Sequence, residues 1–290
     1  MKALELVRLT PLIERSKGKA ETVIGLIDGP VALQHPAFAG SVIREIPGAG
    51  NGTCGQAESF ACQHGTLVAG VLSAQRESGA PAICPGCTLL VRPIFGEGTG
   101  ANRLLPSATP SDLAAAILDC IRAGAHVINM SLALAQPSSK GERDLEAALD
   151  VAAQRGVIIV AAAGNQGTIG SSPITRHPWT IPVIACDLAG RPTAETNLSN
   201  SIGRFGLAAP GAEIVSIGVG GGSATFGGTS AATPFVTGTI ALLRSEFPTA
   251  TAAQVKFAVT QTGAQKRTSV IPPLLNAWTA YQALQSAMRR

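Results

Sequence analysis

Five runs of apolar residues punctuate the chain, at residues 23–27, 88–94, 126–132, 157–162 and 181–186. The runs are continuous, with no alternation of apolar and polar positions, which is typical of parallel strands covered on both faces. Apolar positions recur with a helical period at residues 64–74, 111–123, 142–155, 230–247, 251–262 and 273–288. This order of strands and helices predicts an α/β fold, with a mainly parallel sheet covered by helices on both faces.

The chain shows no internal repeat, no low-complexity linker and no break in the pattern. We therefore expect a single domain over residues 1–290, with residues 1–21 as an N-terminal extension and residues 263–290 as a C-terminal helical extension. The 290 residues are 46% hydrophobic, which is enough for one large core. Aromatic residues make up only 4% of the chain, so small aliphatic side chains must fill most of the interior.

Charge and hydropathy exclude several classes of function. The net charge is +4 and the basic residues are dispersed, so we expect no binding to nucleic acid. No apolar stretch approaches the roughly 18 residues of a membrane span. Residues 1–14 carry charges throughout and lack the apolar core of a secretory signal. We expect a cytoplasmic protein, or a secreted one if a leader has been trimmed from this sequence.

Residues with catalytic chemistry lie where the predicted strands end. Asp28 closes the first run, Ser131 lies near the end of the third, and Asn165 follows the fourth. Ligands bind at the carboxyl ends of parallel strands. Ser230 lies between a glycine-rich loop and an apolar helical stretch, where unpaired N–H groups favour developing negative charge. A serine there is commonly only an N-cap, so its interpretation depends on the other motifs.

Four short motifs occur in the order aspartate, histidine, asparagine, serine: Leu26-Ile-Asp28-Gly, His64-Gly-Thr, Ala161-Ala-Ala-Gly-Asn165 and Gly228-Thr-Ser230-Ala-Ala-Thr-Pro. Together they resemble the subtilisin-like serine proteases, the subtilases or peptidase family S8, over residues 22–262. The order differs from that of α/β-hydrolases and of chymotrypsin-like enzymes. The resemblance implies a three-layer subtilisin-like fold and a serine endopeptidase, which is a hydrolase.

The resemblance also implies a role for each catalytic residue. Ser230 is the nucleophile, His64 is the general base, and Asp28 orients the imidazole and stabilises its charged form. Asn165 donates its amide to the oxyanion, together with the backbone N–H of Ser230. One departure from the family lies beside the aspartate, where Gly29 stands in place of the usual serine or threonine. We expect this change to alter hydrogen bonding around Asp28 without abolishing catalysis.

By the same resemblance, the substrate-binding pocket has two walls and a floor. One wall is residues 131–134, where the family commonly has Ser-Leu-Gly-Gly, and Ala133 and Leu134 add bulk there. The opposite wall is the segment that leads from Ala162 to Asn165. Arg176 stands at the floor, where it would pair with an acidic side chain of the substrate. The alternative is that Arg176 folds outward or pairs with a structural carboxylate, and that the bulk of Ala133 and Leu134 narrows the pocket so that it takes small residues. The expected substrate-binding residues are Ser131, Leu132, Ala133, Leu134, Ala162, Ala163, Gly164 and Arg176.

Cysteine spacing leaves two interpretations open. Cys54 lies near Cys62, and Cys84 lies near Cys87 in a C-x-x-C motif. A zinc site shared by both pairs is disfavoured, because a helix of roughly 16 Å separates them. Two local disulfides or reduced buried thiols remain, and thiols are the default in the cytosol. Two further cysteines lie in apolar stretches and are expected to be small core residues, namely Cys120 and Cys186.

No acidic cluster has the spacing of calcium ligands, so we expect neither a metal nor a cofactor. Within the subtilases, the segment from Ile27 to Pro36 looks most like the cyanobactin-type peptide-maturation proteases. Some members of that group macrocyclise and carry an inserted helical lid, for which the 36 positions between Asp28 and His64 leave no room. We expect processing of a peptide precursor. The alternatives are general protein turnover, transpeptidation and a catalytically silent binding module. The oligomeric state is left open.

Overall fold

A seven-stranded parallel sheet forms the centre of the molecule. The computed structural model describes residues 2–48, 54–56, 59–96, 108–134, 142–261 and 269–289. The strands of the sheet are β1 (Val23–Asp28), β2 (Val42–Glu45), β3 (Thr88–Pro93), β4 (Val127–Met130), β5 (Ile158–Ala162), β6 (Thr180–Cys186) and β7 (Leu207–Pro210). They lie in the order β2-β3-β1-β4-β5-β6-β7, and each pair runs parallel.

A separate antiparallel hairpin of β8 (Ile214–Ile217) and β9 (Ser223–Phe226) leads directly into the longest helix. The helices are α1 (Lys2–Leu6), α2 (Thr10–Arg15), α3 (Phe60–Ser73), α4 (Pro110–Arg122), α5 (Arg143–Arg155), α6 (Pro173–Arg176), α7 (Asn200–Phe205), α8 (Thr229–Glu246), α9 (Ala252–Thr260) and α10 (Ala277–Met288). Within the described ranges, no helix combines the length and the apolar character that crossing a bilayer requires.

The predicted α/β architecture is confirmed, and the differences lie at its edges. Each of the five predicted strands is present with slightly shifted ends. Strands β2 and β7 were missed because two of the four residues of β2 are charged and β7 reaches a proline after only three apolar residues. The histidine helix begins at Phe60, one turn before the predicted start, because Ser59 caps it and accepts from the Cys62 N–H. Thr109, not Ser111, caps α4, in a capping box with Asp112. The predicted helix 251–262 ends at Thr260, and residue 262 lies outside the described residues.

Both faces of the sheet are buried, because side chains alternate along each strand. From β1, Ile24 and Leu26 enter one hydrophobic cluster with α3 and α8, and Ile27 enters the opposite cluster with α4 and α5. The first cluster also takes in the two ends of the chain, through apolar side chains of α1, α2 and α10: Leu4, Leu12, Tyr281 and Leu284. The residues 1–21 and 263–290 expected as extensions therefore contribute described side chains to the main core.

Helix α3 packs on the end of β1 without intervening side chains. A Cβ on Gly65 would lie 2.5 Å from the carbonyl oxygen of Gly29 and 2.6 Å from that of Pro30. A Cβ on Gly29 would overlap the carbonyl oxygen of Ala61. This contact explains the glycine after Asp28, because a serine or threonine at that position would push the helix away.

The structure combines the two interpretations of the cysteine pairs. Cys54 and Cys62 form a disulfide, with 5.3 Å between their Cα atoms. Cys84 and Cys87 are free thiols, and both are buried. Cys120 and Cys186 are fully buried core residues as expected, and burial raises the pKa of each thiol to about 12. Among the described residues, no group of three or more His, Cys, Asp or Glu side chains is arranged to hold a metal.

Thiol titration tests this pairing directly. Denatured but unreduced protein should contain four reactive thiols, and prior reduction should raise the number to six. Because the disulfide closes a loop of eight residues, its reduction should lower the free energy of unfolding by roughly 2 kcal/mol. Two thiols in the unreduced sample would instead indicate a second disulfide between Cys84 and Cys87.

Candidate active site

The carboxyl ends of three neighbouring strands converge on one edge of the sheet. Strand β4 lies between β1 and β5, so the ends of these strands bring Asp28, Ser131 and the loop to Asn165 close together. Helix α3 carries His64 over the end of β1, and α8 starts with Thr229 and Ser230. Fifteen of the eighteen residues of α8 are buried, so the core fixes the position of its first turn.

Asp28 and His64 form the central hydrogen bond of the site. The Nδ1 atom of His64 lies 2.7 Å from Oδ1 of Asp28, and the same oxygen accepts from the Gly29 N–H at 2.7 Å. Asp28 is 1% exposed, and its Oδ2 is buried without a hydrogen-bond partner among the described residues. The expected change in hydrogen bonding at Gly29 is therefore the loss of a side-chain donor to this carboxylate.

The imidazole of His64 is enclosed but still accessible. Its side chain is 19% exposed, with the ring of Phe60 stacked beside it and the ring of Phe226 edge-on. Burial disfavours the imidazolium, but the charge of Asp28 and its hydrogen bond outweigh that effect. The pKa of His64 consequently lies above its ordinary value. This arrangement suits a base that must hold a proton during a reaction.

Ser230 is free of a capping role. The N-cap of α8 is Gly228, with φ of 86°, and no side chain caps the helix. The hydroxyl of Ser230 instead donates to the carbonyl oxygen of Ser131 at 2.8 Å. Its backbone N–H belongs to the first turn of α8, where N–H groups have no intrahelical acceptor. Hydrogen bonds of a catalytic group are often arranged differently before substrate binds, so this contact is compatible with a serine that later turns toward a base.

A chain of buried hydrogen bonds, which sequence reasoning missed, fixes the backbone of Ser230. The Ser131 hydroxyl donates to the carbonyl oxygen of Ser230 at 2.9 Å. Asn129 donates from Nδ2 to the Ser131 hydroxyl at 2.9 Å, and Thr237 donates to Oδ1 of Asn129 at 2.8 Å. The signal available in the sequence was an asparagine inside the apolar run of β4, because a buried amide requires partners.

The side chain of Asn165 is anchored beside the nucleophile. Its Oδ1 accepts from both the N–H and the hydroxyl of Thr229, at 2.9 and 3.0 Å. With Oδ1 occupied, the Nδ2 group of this exposed residue remains available as a donor. Thr229 precedes Ser230, so the amide of Asn165 is held at the start of α8, where backbone N–H groups are also free to donate.

The expected pocket walls are arranged around this centre. Ser131 is buried, whereas Ala133 is exposed, and Leu132 and Leu134 are half-buried against the core cluster of α4 and α5. Opposite, Ala162 ends β5, the Ala163 N–H donates to the carbonyl oxygen of Val183, and the Gly164 N–H donates to the hydroxyl of Thr229. Gly164 has φ of 106°, which favours glycine, and a Cβ there would overlap the Asn197 amide.

Arg176 lies at the end of α6, half-buried, beside a cavity of about 370 Å³. The described residues lining this cavity are Ile169, Gly170, Ser171, Arg176, Ser199, Asn200, Ser201 and Val270. None of them belongs to the two expected walls, 131–134 and 162–164. The acidic-pocket role of Arg176 stays a prediction.

Comparison with known proteins agrees with this geometry. The subtilase family matches residues 19–276. The chain belongs to the subtilase family. It is 31% identical to the protease domain of PatA, solved as a mutant, with a TM-score of 0.85 over 93% of this chain and 97% of that one. It is 27% identical to the prenylagaramide maturation protease PagA, with a TM-score of 0.83 over 96% and 98% of the two chains.

Curated subtilisins are also similar to this subtilase. Subtilisin amylosacchariticus from Bacillus subtilis subsp. amylosacchariticus is 33% identical over 195 residues, which is 67% of this chain and 48% of the relative. The chain thus spans about half the length of this curated relative.

The pH dependence of activity should report the Asp28–His64 bond. Because only neutral His64 can accept the proton of Ser230, kcat/KM should rise with pH through an apparent pKa above 6.5. Asp28→Asn should move this limb to lower pH and reduce kcat by about 10⁴-fold. The raised pKa also stabilises the fold below the unfolded pKa, and this stabilisation is lost as pH rises through the folded value. An acid limb unchanged in Asp28→Asn would contradict the assignment.

Removal of the Asn165 amide should affect the transition state selectively. Asn165→Ala should lower kcat by roughly 10²–10³ with little change in KM, because the oxyanion exists only after attack. Steady-state kinetics on a single peptide measure this split, with circular dichroism as the control for folding. A large rise in KM at unchanged kcat would show instead that Asn165 binds the ground-state substrate.

Proposed function

We propose that this chain is a serine endopeptidase that hydrolyses peptide bonds through an acyl-enzyme on Ser230. The observation that carries the proposal is the 2.7 Å bond between Asp28 and His64, beside an uncapped serine at the start of α8. This combination supplies a nucleophile, a base and a group that orients the base. Membership of the subtilase family supports the same assignment.

The steps follow from the positions of the side chains. His64 takes the hydroxyl proton as Ser230 Oγ bonds to the peptide carbonyl carbon, and the Asp28 carboxylate stabilises the imidazolium. The carbonyl oxygen becomes an oxyanion that accepts from Asn165 Nδ2 and from the Ser230 N–H. When the C–N bond breaks, His64 returns the proton to the leaving amine. A water molecule, deprotonated by His64, then hydrolyses the ester and regenerates Ser230.

We further propose that the substrate is a peptide precursor. Support comes from the similarity to PatA and PagA, which are both named as maturation proteases. Ala133 and Leu134 add bulk to one expected wall of the pocket, so the pocket favours a restricted set of substrate side chains. The spacing of 36 positions between Asp28 and His64 favours hydrolysis over transpeptidation, since it leaves little room for a lid. General protein turnover is the second candidate, and a silent binding module is disfavoured by the Asp28–His64 hydrogen bond together with a serine at position 230.

Arg176 remains the candidate for selecting an acidic residue before the scissile bond, although its described surroundings lie away from the two walls. A cytoplasmic location likewise stays a prediction, and the Cys54–Cys62 disulfide argues against it, because such bonds are typical of oxidising compartments. We propose no metal, cofactor, nucleic acid or membrane in the reaction.

Ser230→Ala should abolish peptidase activity, by about 10⁴-fold or more, because the attacking oxygen is removed. The melting temperature should change little, since the hydroxyl makes a single described donor contact. A fluorophosphonate should label the wild-type protein at Ser230 and leave the variant unlabelled. Retention of a tenth of wild-type turnover would rule out Ser230 as the nucleophile.

A peptide-library cleavage profile separates precursor processing from turnover. We expect a narrow profile at the residues next to the scissile bond, whereas a turnover protease should cut broadly.

Cleavage of the same peptide library by the Arg176→Gly variant tests the role of Arg176. If Arg176 selects acidic residues, the variant should accept large apolar ones, because the positive charge is removed from the pocket. An unchanged profile in the variant would exclude Arg176 from the pocket.

A further inference from the structure

Phe60 is an exposed aromatic ring whose position the catalytic steps do not explain. Its side chain is 56% exposed, and among the described residues the only other phenylalanine exposed to this degree is Phe257, at 66%. Phe257 lies on α9, whose Lys256 donates to the carbonyl of Pro178 just before β6 begins, so α9 lies at the opposite edge of the sheet. A single exposed apolar side chain needs no explanation, but Phe60 adjoins the rings of His64 and Phe226, and such apolar patches form ligand-binding grooves.

The ring of Phe60 continues the surface of His64. The two residues are one helical turn apart, and their rings stack with centroids 6.0 Å apart and planes inclined by 25°. On another side of His64, the half-buried ring of Phe226 meets it edge-on, at 6.3 Å and 89°. Phe226 closes β9, just before the glycines that lead to Ser230. The imidazole therefore lies within an aromatic surface formed by Phe60 and Phe226.

This aromatic surface is held in place on the side of Phe60. Ser59 caps the first turn of α3, and the disulfide from Cys62 ties that turn to Cys54. The carbonyl of Ala61 packs against Gly29 at the end of β1. Phe60 is consequently presented by a turn with three separate attachments, so that little ordering is required when a ligand binds it.

The substrate must pass along this surface. His64 gives its proton to the leaving amine, so the scissile nitrogen comes within about 3 Å of the imidazole. A side chain adjacent to the scissile bond then lies close to Phe60, because the Phe60 and His64 ring centroids are only 6.0 Å apart. Helix α3 carries no Asp, Glu, Lys or Arg between Phe60 and Ser73, so this surface offers apolar contact rather than charge.

We propose that Phe60, together with Phe226, binds an apolar side chain next to the scissile bond and thereby sets the specificity of cleavage. The inference rests on the proposed peptidase function. Burial of the exposed face of Phe60 by an aliphatic or aromatic side chain removes apolar surface from water on both partners. A small polar side chain gains little from this contact.

The test compares peptides that differ only by Leu or Ser at each position flanking the scissile bond. The ratio of their kcat/KM values should favour Leu at one position in the wild type. Phe60→Ala should reduce that ratio by roughly tenfold, since the contact surface is lost. Phe60→Leu should retain most of the ratio, and the matched control Phe257→Ala should leave it unchanged. Thermal melting of each variant verifies that the fold is intact.

An equal loss for Leu and Ser peptides in Phe60→Ala would overturn the inference, because it would assign Phe60 to holding His64 and not to recognition. A second measurement separates this result from a failure of the proposed function. Binding of the same uncleaved peptides to Ser230→Ala, with and without Phe60→Ala, requires no turnover. A preference for Leu that disappears with Phe60 supports the inference even if the wild type cleaves neither peptide, and equal binding of both peptides refutes it.

Discussion

The close contact between α3 and the end of β1 sets the position of His64 against Asp28, on which the proposed chemistry depends. At Gly29 and Gly65 the two backbones approach more closely than a Cβ atom would permit. This approach brings the His64 ring to the Asp28 carboxylate at 2.7 Å. It also excludes any side chain after Asp28, so that Oδ2 of this buried carboxylate has no described donor. Leaving a buried acceptor unpaired costs about 1–3 kcal/mol, which the tight helix–strand packing must offset.

The nucleophile is positioned by a different part of the core. Helix α8 is buried along most of its length. Its first residues accept hydrogen bonds from Ser131, after β4, and from Gly164, after β5. The Thr237–Asn129–Ser131 chain fixes the backbone of Ser230, while Thr229 orients the amide of Asn165. Neither arrangement depends on the Asp28–His64 pair. His64 and Ser230 are therefore held by separate sets of contacts.

The first turn of α3 packs on the end of β1 and also carries Phe60, the proposed specificity residue. Because the helix starts at Phe60 instead of at His64, an aromatic ring is added beside the catalytic base. The disulfide and the Ser59 cap stabilise this added turn, which otherwise would be an exposed helix end liable to fray. The same turn that packs on Gly29 thus extends the active-site surface outward, toward the side chains of a bound peptide.

The amino-acid sequence by itself determined the α/β class and five of the seven sheet strands, and its motifs predict the catalytic set of Asp28, His64, Asn165 and Ser230. These could be predicted because buried parallel strands have continuous apolar runs, and because catalysis demands particular side chains at strand ends and at a helix start. The short strands β2 and β7 gave no such signal, since pairing with a neighbour and not local pattern makes them strands.

Only the tertiary structure decided which cysteines are bonded, why glycine follows Asp28, and which residues fix the backbone of Ser230 by hydrogen bonds. Each of these depends on distances between segments far apart in the chain, such as the 108 positions that separate Asn129 from Thr237. The tertiary structure also placed Arg176 beside a cavity, and none of the described residues that line this cavity belongs to the expected pocket walls. Local sequence encodes the type of an element and its chemistry, but the approach of one element to another is set by packing of the whole core.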